Sequence, residues 1–510
     1  MSFKEVNKLR KDGQLDEAYK MAQEDLESEP VNIWNKRGMS WVLIMYLKQY
    51  AHSGEHQNFL QTLQEFRDLQ MPGDGSEDMI FENLKYWVTK FLSAISKEES
   101  PDVDLFEEFW EIIKEIPYPK PSEMHSSILK FFLKIKKSWD RMEEFLEVWD
   151  FKNFRDQDYE YEDTGKVTIN PLVERAYMAM SKLILAGSKN NPLELQPSIN
   201  QEKLEKVLKE MQELYQAHPD FQYLPYYIGK LLYARGSKEE ALKNLLPFTR
   251  ANESKFWVWT LLGNIYDKDK DLQLACYCKG LLNKEPENMK IGLRKKLTNL
   301  LIEKSFYPEA KYELNKIREI QEENGWKVSN GIKQQMGKEW YQQAEMPKNN
   351  LNFYRQHARK TSSLLAQDLN SMVGVVTNVK KERNVLGFIV NKEISGGFDF
   401  SHMMDTPKPG DKLEMWYEPR TNKKGESFRK VFHAEPTDKN PKEGILKELK
   451  GEVSIIKEKN IGFLEGAFIP PDLVEKNHLE NEDKIQAKSV LNFNKAKDEW
   501  GWRVVEIREV

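Results

Sequence analysis

Two stretches near the C-terminus decide the fold: Leu386-Gly387-Phe388-Ile389 and Ile461-Gly462-Phe463-Leu464 write one pattern twice, each followed closely by another aromatic cluster. Around the first, Gly374-Val375-Val376-Thr377 has the β-branched character of a strand and residues 385–390 that of the next, with Lys380, Lys381 and Arg383 in the turn between them. Phe398-Asp399-Phe400-Ser401-His402 is expected to form a third strand, and Pro409-Gly410-Asp411 to turn the chain into a fourth. The second copy runs from Gly451-Glu452-Val453 through Gly466-Ala467-Phe468-Ile469-Pro470 to a last strand at Trp500-Gly501-Trp502-Arg503-Val504-Val505. Five short strands of this kind make an OB barrel.

The first copy resembles the cold-shock domain, whose paired motifs are a Gly-Phe strand and a strand with Phe and His two apart; Phe388, Phe400 and His402 fall on those positions. It departs from the family at Leu386, where a second aromatic is usual, and at Asn384, where a basic residue is. The second copy is also similar to the related OB domains of ribosomal-protein type, with Pro470 in place of the histidine. The resemblance implies RNA or single-stranded DNA binding, with bases stacked on Phe388, Phe400 and His402 and phosphates held by Lys380, Lys381 and Arg383. Phe463, Phe468, Trp500 and Trp502 are the corresponding candidates in the second copy. Because alternate residues of a strand share a face, Phe388 and Phe463 could equally point into a barrel core.

Upstream the periodicity is helical. Gly229 and Gly263 are 34 residues apart, as are Ala241 and Ala275, and Ala310 follows 35 later. This spacing resembles the tetratricopeptide repeat, in which small residues let paired helices approach closely. Trp259, Leu262, Gly263, Tyr266 and Pro286 extend the resemblance, and Gly13, Ala18, Ala22, Pro30, Trp34 and Gly38 repeat it at the N-terminus. Between them, aromatic helical runs such as Phe106-Glu107-Glu108-Phe109-Trp110 fit degenerate, enlarged repeats. Residues 150–168 break the pattern and are expected to be a packed connection rather than a loop lying on a concave surface. Trp34-Asn35-Lys36-Arg37 resembles one step of the clamp that some such repeats use for acidic peptide tails, but no second step follows.

The chain of 510 residues has room for three or four domains, and its formal charge of −5 argues against a uniformly basic coat. Residues 371–510 are close to neutral, so nucleic-acid affinity would come from local patches and stacking. Cys276 and Cys278, two apart in a helical stretch, do not face one another and read as reduced thiols. The N-terminus has no signal-peptide block, and the apolar run 41–47 is too short for a bilayer, so no membrane association and a cytoplasmic location are expected. His52-Ser53-Gly54-Glu55-His56 fits the inverted zinc-protease pattern, but a Ser-Gly pair at its centre suits a helix end better. Phosphate-binding glycine loops and a nucleophile elbow are missing, so catalysis, a metal and a cofactor are not expected.

The sequence therefore predicts a mostly α, TPR-like helical solenoid over 1–318, with its best repeats at 222–317 and degenerate ones at 50–220. Closing helices are expected over 319–370, where Arg355, His357, Arg359 and Lys360 make a basic turn. A first cold-shock-like OB barrel follows at 371–433, a linker at 434–446, and a second OB-like barrel at 447–510. The expected role is a non-enzymatic adaptor, with a protein partner or peptide in the solenoid groove and RNA or single-stranded DNA at the barrels. Bacterial stress, translation and phage defence are the settings in which such a combination occurs. The alternative is a pure protein-interaction scaffold with structural or protein-binding barrels.

Overall fold

The computed structural model describes residues 2–96, 101–186, 199–422, 424–494 and 498–509, in two compact units, Met1–Ser237 and Lys238–Val510. Helices followed by β-barrel domains make the fold class expected from the sequence.

In the first unit, helix Ile33–Ser53 packs on Asp78–Ile95, that helix on Glu123–Ile135, and that in turn on Leu172–Ala186, while His56–Asp68 packs on Val103–Ile113. Each helix thus meets the next but one, the contact pattern of stacked helix pairs. Starts are set by side-chain caps: Asn32, Asp102, Ser122 and Asn200 each accept from a backbone N–H of the first turn. The apolar stripes at spacings of three and four meet as rings, with Phe59 stacked on Phe91 and Phe132 on Phe145, both at 4.3 Å between centroids. Residues 150–168 pack as a connection: Phe154 lies on Trp149, and buried Asp158 accepts from Ser126 Oγ at 2.6 Å and pairs with Arg155. Gly54 ends Ile33–Ser53 in the left-handed region, so His52 and His56 sit on two different helices. The clamp-like Asn35 and Arg37 are used internally, by Asp25 O at 2.8 Å and Glu77 at 2.6 Å.

In the second unit, Phe256–Ile265 pairs with Lys270–Leu281, and Ile291–Glu303 with Tyr307–Glu323. The small residues do what their spacing suggests: a Cβ at Gly263 would collide with the Tyr277 ring, and Ala241, Ala275 and Ala310 are fully buried. Cys276 and Cys278 are buried, free thiols, and burial pushes both up in pKa. Helix Leu351–Ala358 closes this layer, setting Tyr354 and Ala358 against Leu274, Tyr277 and Cys278. Beneath it, the buried Glu313 carboxylate accepts from Arg294 at 2.5 Å, from Asn350 at 2.8 Å and from the Tyr354 hydroxyl.

The first barrel domain comprises β1 (Asn370–Lys380), β2 (Val385–Ile389), β3 (Ser395–Asp399), β4 (Lys412–Thr421) and β5 (Ser427–Pro436), ordered β3-β2-β1-β4-β5 as a curled sheet. The second comprises β6 (Leu446–Ile456), β7 (Ile461–Leu464), β8 (Ala467–Ile469), β9 (Lys484–Asn494) and β10 (Glu499–Glu509). It has the same strand order, and a parallel pairing of Phe468 with Arg503 closes it into a barrel. Two sequence expectations are corrected. The third strand stops at Asp399, because Asp399 turns the chain by accepting from Ser401 N at 2.9 Å; His402 therefore lies in a turn. The linker does not begin at 434: Ala434, opposite Met415, is buried core of β5, and the next barrel starts at Leu446.

The two barrels are packed together. Val375 and Ile389 of the first meet Ile445, Val490 and Leu491 of the second, and Lys488 Nζ donates to Gly410 O at 2.8 Å. The first barrel is also bound to the helices of its unit. Buried Arg250 donates to Glu418 Oε1 at 3.2 Å and to the carbonyls of Leu365 and Gln367 at 3.2 and 3.3 Å.

Candidate nucleic-acid interface

Both barrels build the same turn between their first two strands. Lys381–Arg383 and Lys457–Lys459 each form a single 3-10 turn that ends in a left-handed asparagine, Asn384 with φ 52° and Asn460 with φ 48°. Asparagine tolerates that conformation better than most side chains. Counting from it, the second and fourth residues of the following strand point inward in both domains, at Leu386 and Phe388 and at Gly462 and Leu464. The third points outward, and it is Gly387 in one and Phe463 in the other.

The Gly-Phe motif is thus set one residue differently against the turn, and strand alternation converts that step into opposite faces. Phe388 is 3 % exposed and Phe400 2 %, both in one core cluster with Leu386, Leu413 and Met415. This corrects the stacking role expected of them: the rings are barrel core. His402 is half-buried in its turn, away from any outward row of rings. Lys380, Lys381 and Arg383 are exposed around the turn, but the outward row beside them is Asn378, Gly387 and Gly397, which offers no ring.

In the second barrel the equivalent row reads Ser454, Phe463, Phe468, Arg503, Val490 across strands β6, β7, β8, β10 and β9. Phe463 is 36 % exposed and lies edge-on to the half-exposed Phe468 with centroids 6.0 Å apart. Arg503 stands directly beside Phe468, and Lys457 and Lys459 are exposed on the turn that enters β7. Two rings flanked by a guanidinium and two ammonium groups form a surface on which bases can stack while cations hold phosphate. Trp500 and Trp502 are placed elsewhere: half-buried at the seam between the barrels, with Trp500 against Phe493 at 5.1 Å and Trp502 under Lys447 Nζ at 4.3 Å. The sequence reading missed Arg503, Lys457 and Lys459. Counting alternation from Asn460 shows Phe463 to be outward once the left-handed φ of that asparagine is known, but nothing local places Arg503 next to Phe468.

A second polar surface adjoins the first barrel. Helix Leu351–Ala358 and the turn after β3 enclose a cleft of about 810 Å³ lined by Asn352, Arg355, Gln356, Arg359, Asn384 and His402. Arg359 pairs with Asp405 at 2.7 Å, whereas Nδ1 of His402 is buried without a partner among the described residues. Burial first, and then Lys279 and Arg355, lower the His402 pKa against the opposing pull of Asp399 and Glu253. Among the described residues, no group of three or more His, Cys, Asp or Glu side chains could hold a metal ion, and no helix is long and apolar enough to cross a membrane.

These features agree with the families the chain resembles. Residues 366–431 match the family model described as S1/CSD-like domain 1 of the TOTE conflict systems, and residues 447–507 match S1/CSD-like domain 2 of the same systems. The C-terminal region thus carries tandem S1/CSD-like domains. Residues 222–361 match a domain of unknown function, DUF7017. No curated protein matches the chain.

Proposed function

We propose that the protein is a non-enzymatic adaptor whose TPR-like helical region holds a protein partner and whose C-terminal domains hold RNA or single-stranded DNA, with the second barrel as the stacking platform. The observation that carries this reading is the row Phe463, Phe468, Arg503 on the outer face of a closed OB barrel. The match to two domains of conflict systems supports a phage-defence setting over stress or translation. The rival reading is a scaffold whose barrels bind protein; the ring-free outward row of the first barrel favours it for that domain alone.

Fluorescence anisotropy of labelled single-stranded RNA and DNA against the full chain tests the proposal. Binding at micromolar or lower protein concentration that is removed by Phe463→Ala/Phe468→Ala and kept by Lys381→Gln/Arg383→Gln is the expected result. Absence of binding at low salt would overturn it in favour of the protein scaffold.

A further inference from the structure

The cleft between helix Leu351–Ala358 and the turn after β3 is separate from the row of rings on the second barrel. Its lining is rich in donors: the guanidinium groups of Arg355 and Arg359, and the side-chain amides of Asn352, Gln356 and Asn384. Its one carboxylate, Asp405, is already held by Arg359. Arg355 makes no ion pair among the described residues, and the half-buried His402 lines the same cleft. The donors of Arg355 in this concave, cationic cleft are left to an external group. A chain with a net charge of −5 here concentrates two arginines on one small surface.

The ligand follows from this chemistry. A phosphodiester within a strand presents a single negative charge, whereas a terminal phosphate monoester carries about −1.5 to −2 at neutral pH and three strong acceptor oxygens. The planar fork of an arginine and an imidazole N–H match such a group, and the amides beside them are suited to the edges of a base. The volume is within the range of sites that enclose small ligands. We propose that this cleft binds a terminal phosphate on a nucleoside, with Arg355 and His402 holding the phosphoryl oxygens and Asn352 and Gln356 facing the nucleoside. Free nucleotides and phosphorylated strand ends share that chemistry.

Calorimetry on the full chain with adenosine and uridine 5′-monophosphates, and anisotropy with a 5′-phosphorylated oligonucleotide and its 5′-hydroxyl twin, separate the two sources. Binding of a monophosphate that falls about tenfold or more in Arg355→Gln supports a free nucleotide. Silent nucleotides together with a roughly tenfold preference for the phosphorylated strand, erased by Arg355→Gln, support a strand end. Both side chains, Arg355 and Gln356, are exposed, so the folded state should survive their substitution, and Gln356→Glu, which sets a negative charge at the mouth, is expected to act in the same direction. The Phe463→Ala/Phe468→Ala variant should keep the phosphate response even where it loses strand binding, so failure of the stacking platform is distinguishable from failure of the cleft. No response to any phosphorylated ligand, or a preference untouched by both Arg355→Gln and Gln356→Glu, overturns the proposal.

Discussion

In the first barrel the strand leaving Asn384 carries its phenylalanine at the fourth position, and in the second the strand leaving Asn460 carries it at the third. The turns are the same, the strand order is the same, and the tetrapeptide is nearly the same. One residue of offset makes Phe388 part of a core and Phe463 part of a surface. The compensating positions agree: Leu386 fills inward space in the first barrel, whereas Gly462 occupies that position in the second, where a Cβ would come within 2.8 Å of Ile455 Cδ1. A motif taken as a string of letters is therefore a poor guide to a binding face, and the same motif counted from a conformationally fixed residue is a good one.

The comparison can be broken most forcefully at the paired phenylalanines. Phe388→Ala should destabilise the first barrel by about 3–5 kcal/mol, the cost of a cavity in a packed core, measured as faster hydrogen exchange in β1, β2 and β4. Strand affinity of the folded protein should not change; a loss of affinity without a loss of stability would put Phe388 on the surface. For Phe463→Ala/Phe468→Ala the two responses should be exchanged, with stability nearly unaltered and strand affinity reduced by about 2 kcal/mol or more, since each stacked base is worth about 1–3 kcal/mol. Retained affinity in anisotropy would remove the platform.

Smaller effects sharpen the contrast. Arg503→Gln should cost about 1–2 kcal/mol of strand affinity, seen in the same titration, because a charge-assisted contact beside Phe468 is lost. Lys457→Gln/Lys459→Gln should flatten the dependence of log K on log salt by about 1.4, at about 0.7 per phosphate contact of a single strand. The equivalent pair on the first barrel, Lys381→Gln/Arg383→Gln, should leave that slope unaltered. Equal slopes for the two pairs would mean that both turns contact phosphate.

Much of the architecture was legible from residue patterns. The doubled Gly-Phe stretch located two barrels, and the small residues at Gly263, Ala275 and Ala310 located helix pairs, because close packing leaves no freedom at those positions. The site was less legible, for physical reasons. Alternation fixes which residues share a face without saying which face is wet, so Phe388 and Phe463 could not be told apart by their neighbours alone. The left-handed Asn384 and Asn460 held the answer, but each becomes a fixed point only once its φ is known. Arg503 reaches the platform through a parallel pairing between strands distant in sequence, and the role of Trp500 and Trp502 depends on a seam between domains that no local pattern encodes. Ala434 read as linker because two prolines and alternating charges follow it, yet β5 admits the first of those prolines, Pro436, at its end.

The clasp around Arg250 sets how any ligand of the barrels would be delivered. A domain on a slack tether offers its cargo throughout a sphere whose radius grows with tether length, and its effective concentration is diluted accordingly. Here the guanidinium of Arg250 reaches two backbone carbonyls and a strand carboxylate at once, and the barrels in turn share an apolar seam. Within this unit the chain behaves as a jig rather than a leash: a strand laid on Phe463 and Phe468 would be presented at a set distance and angle to the helices of the same unit.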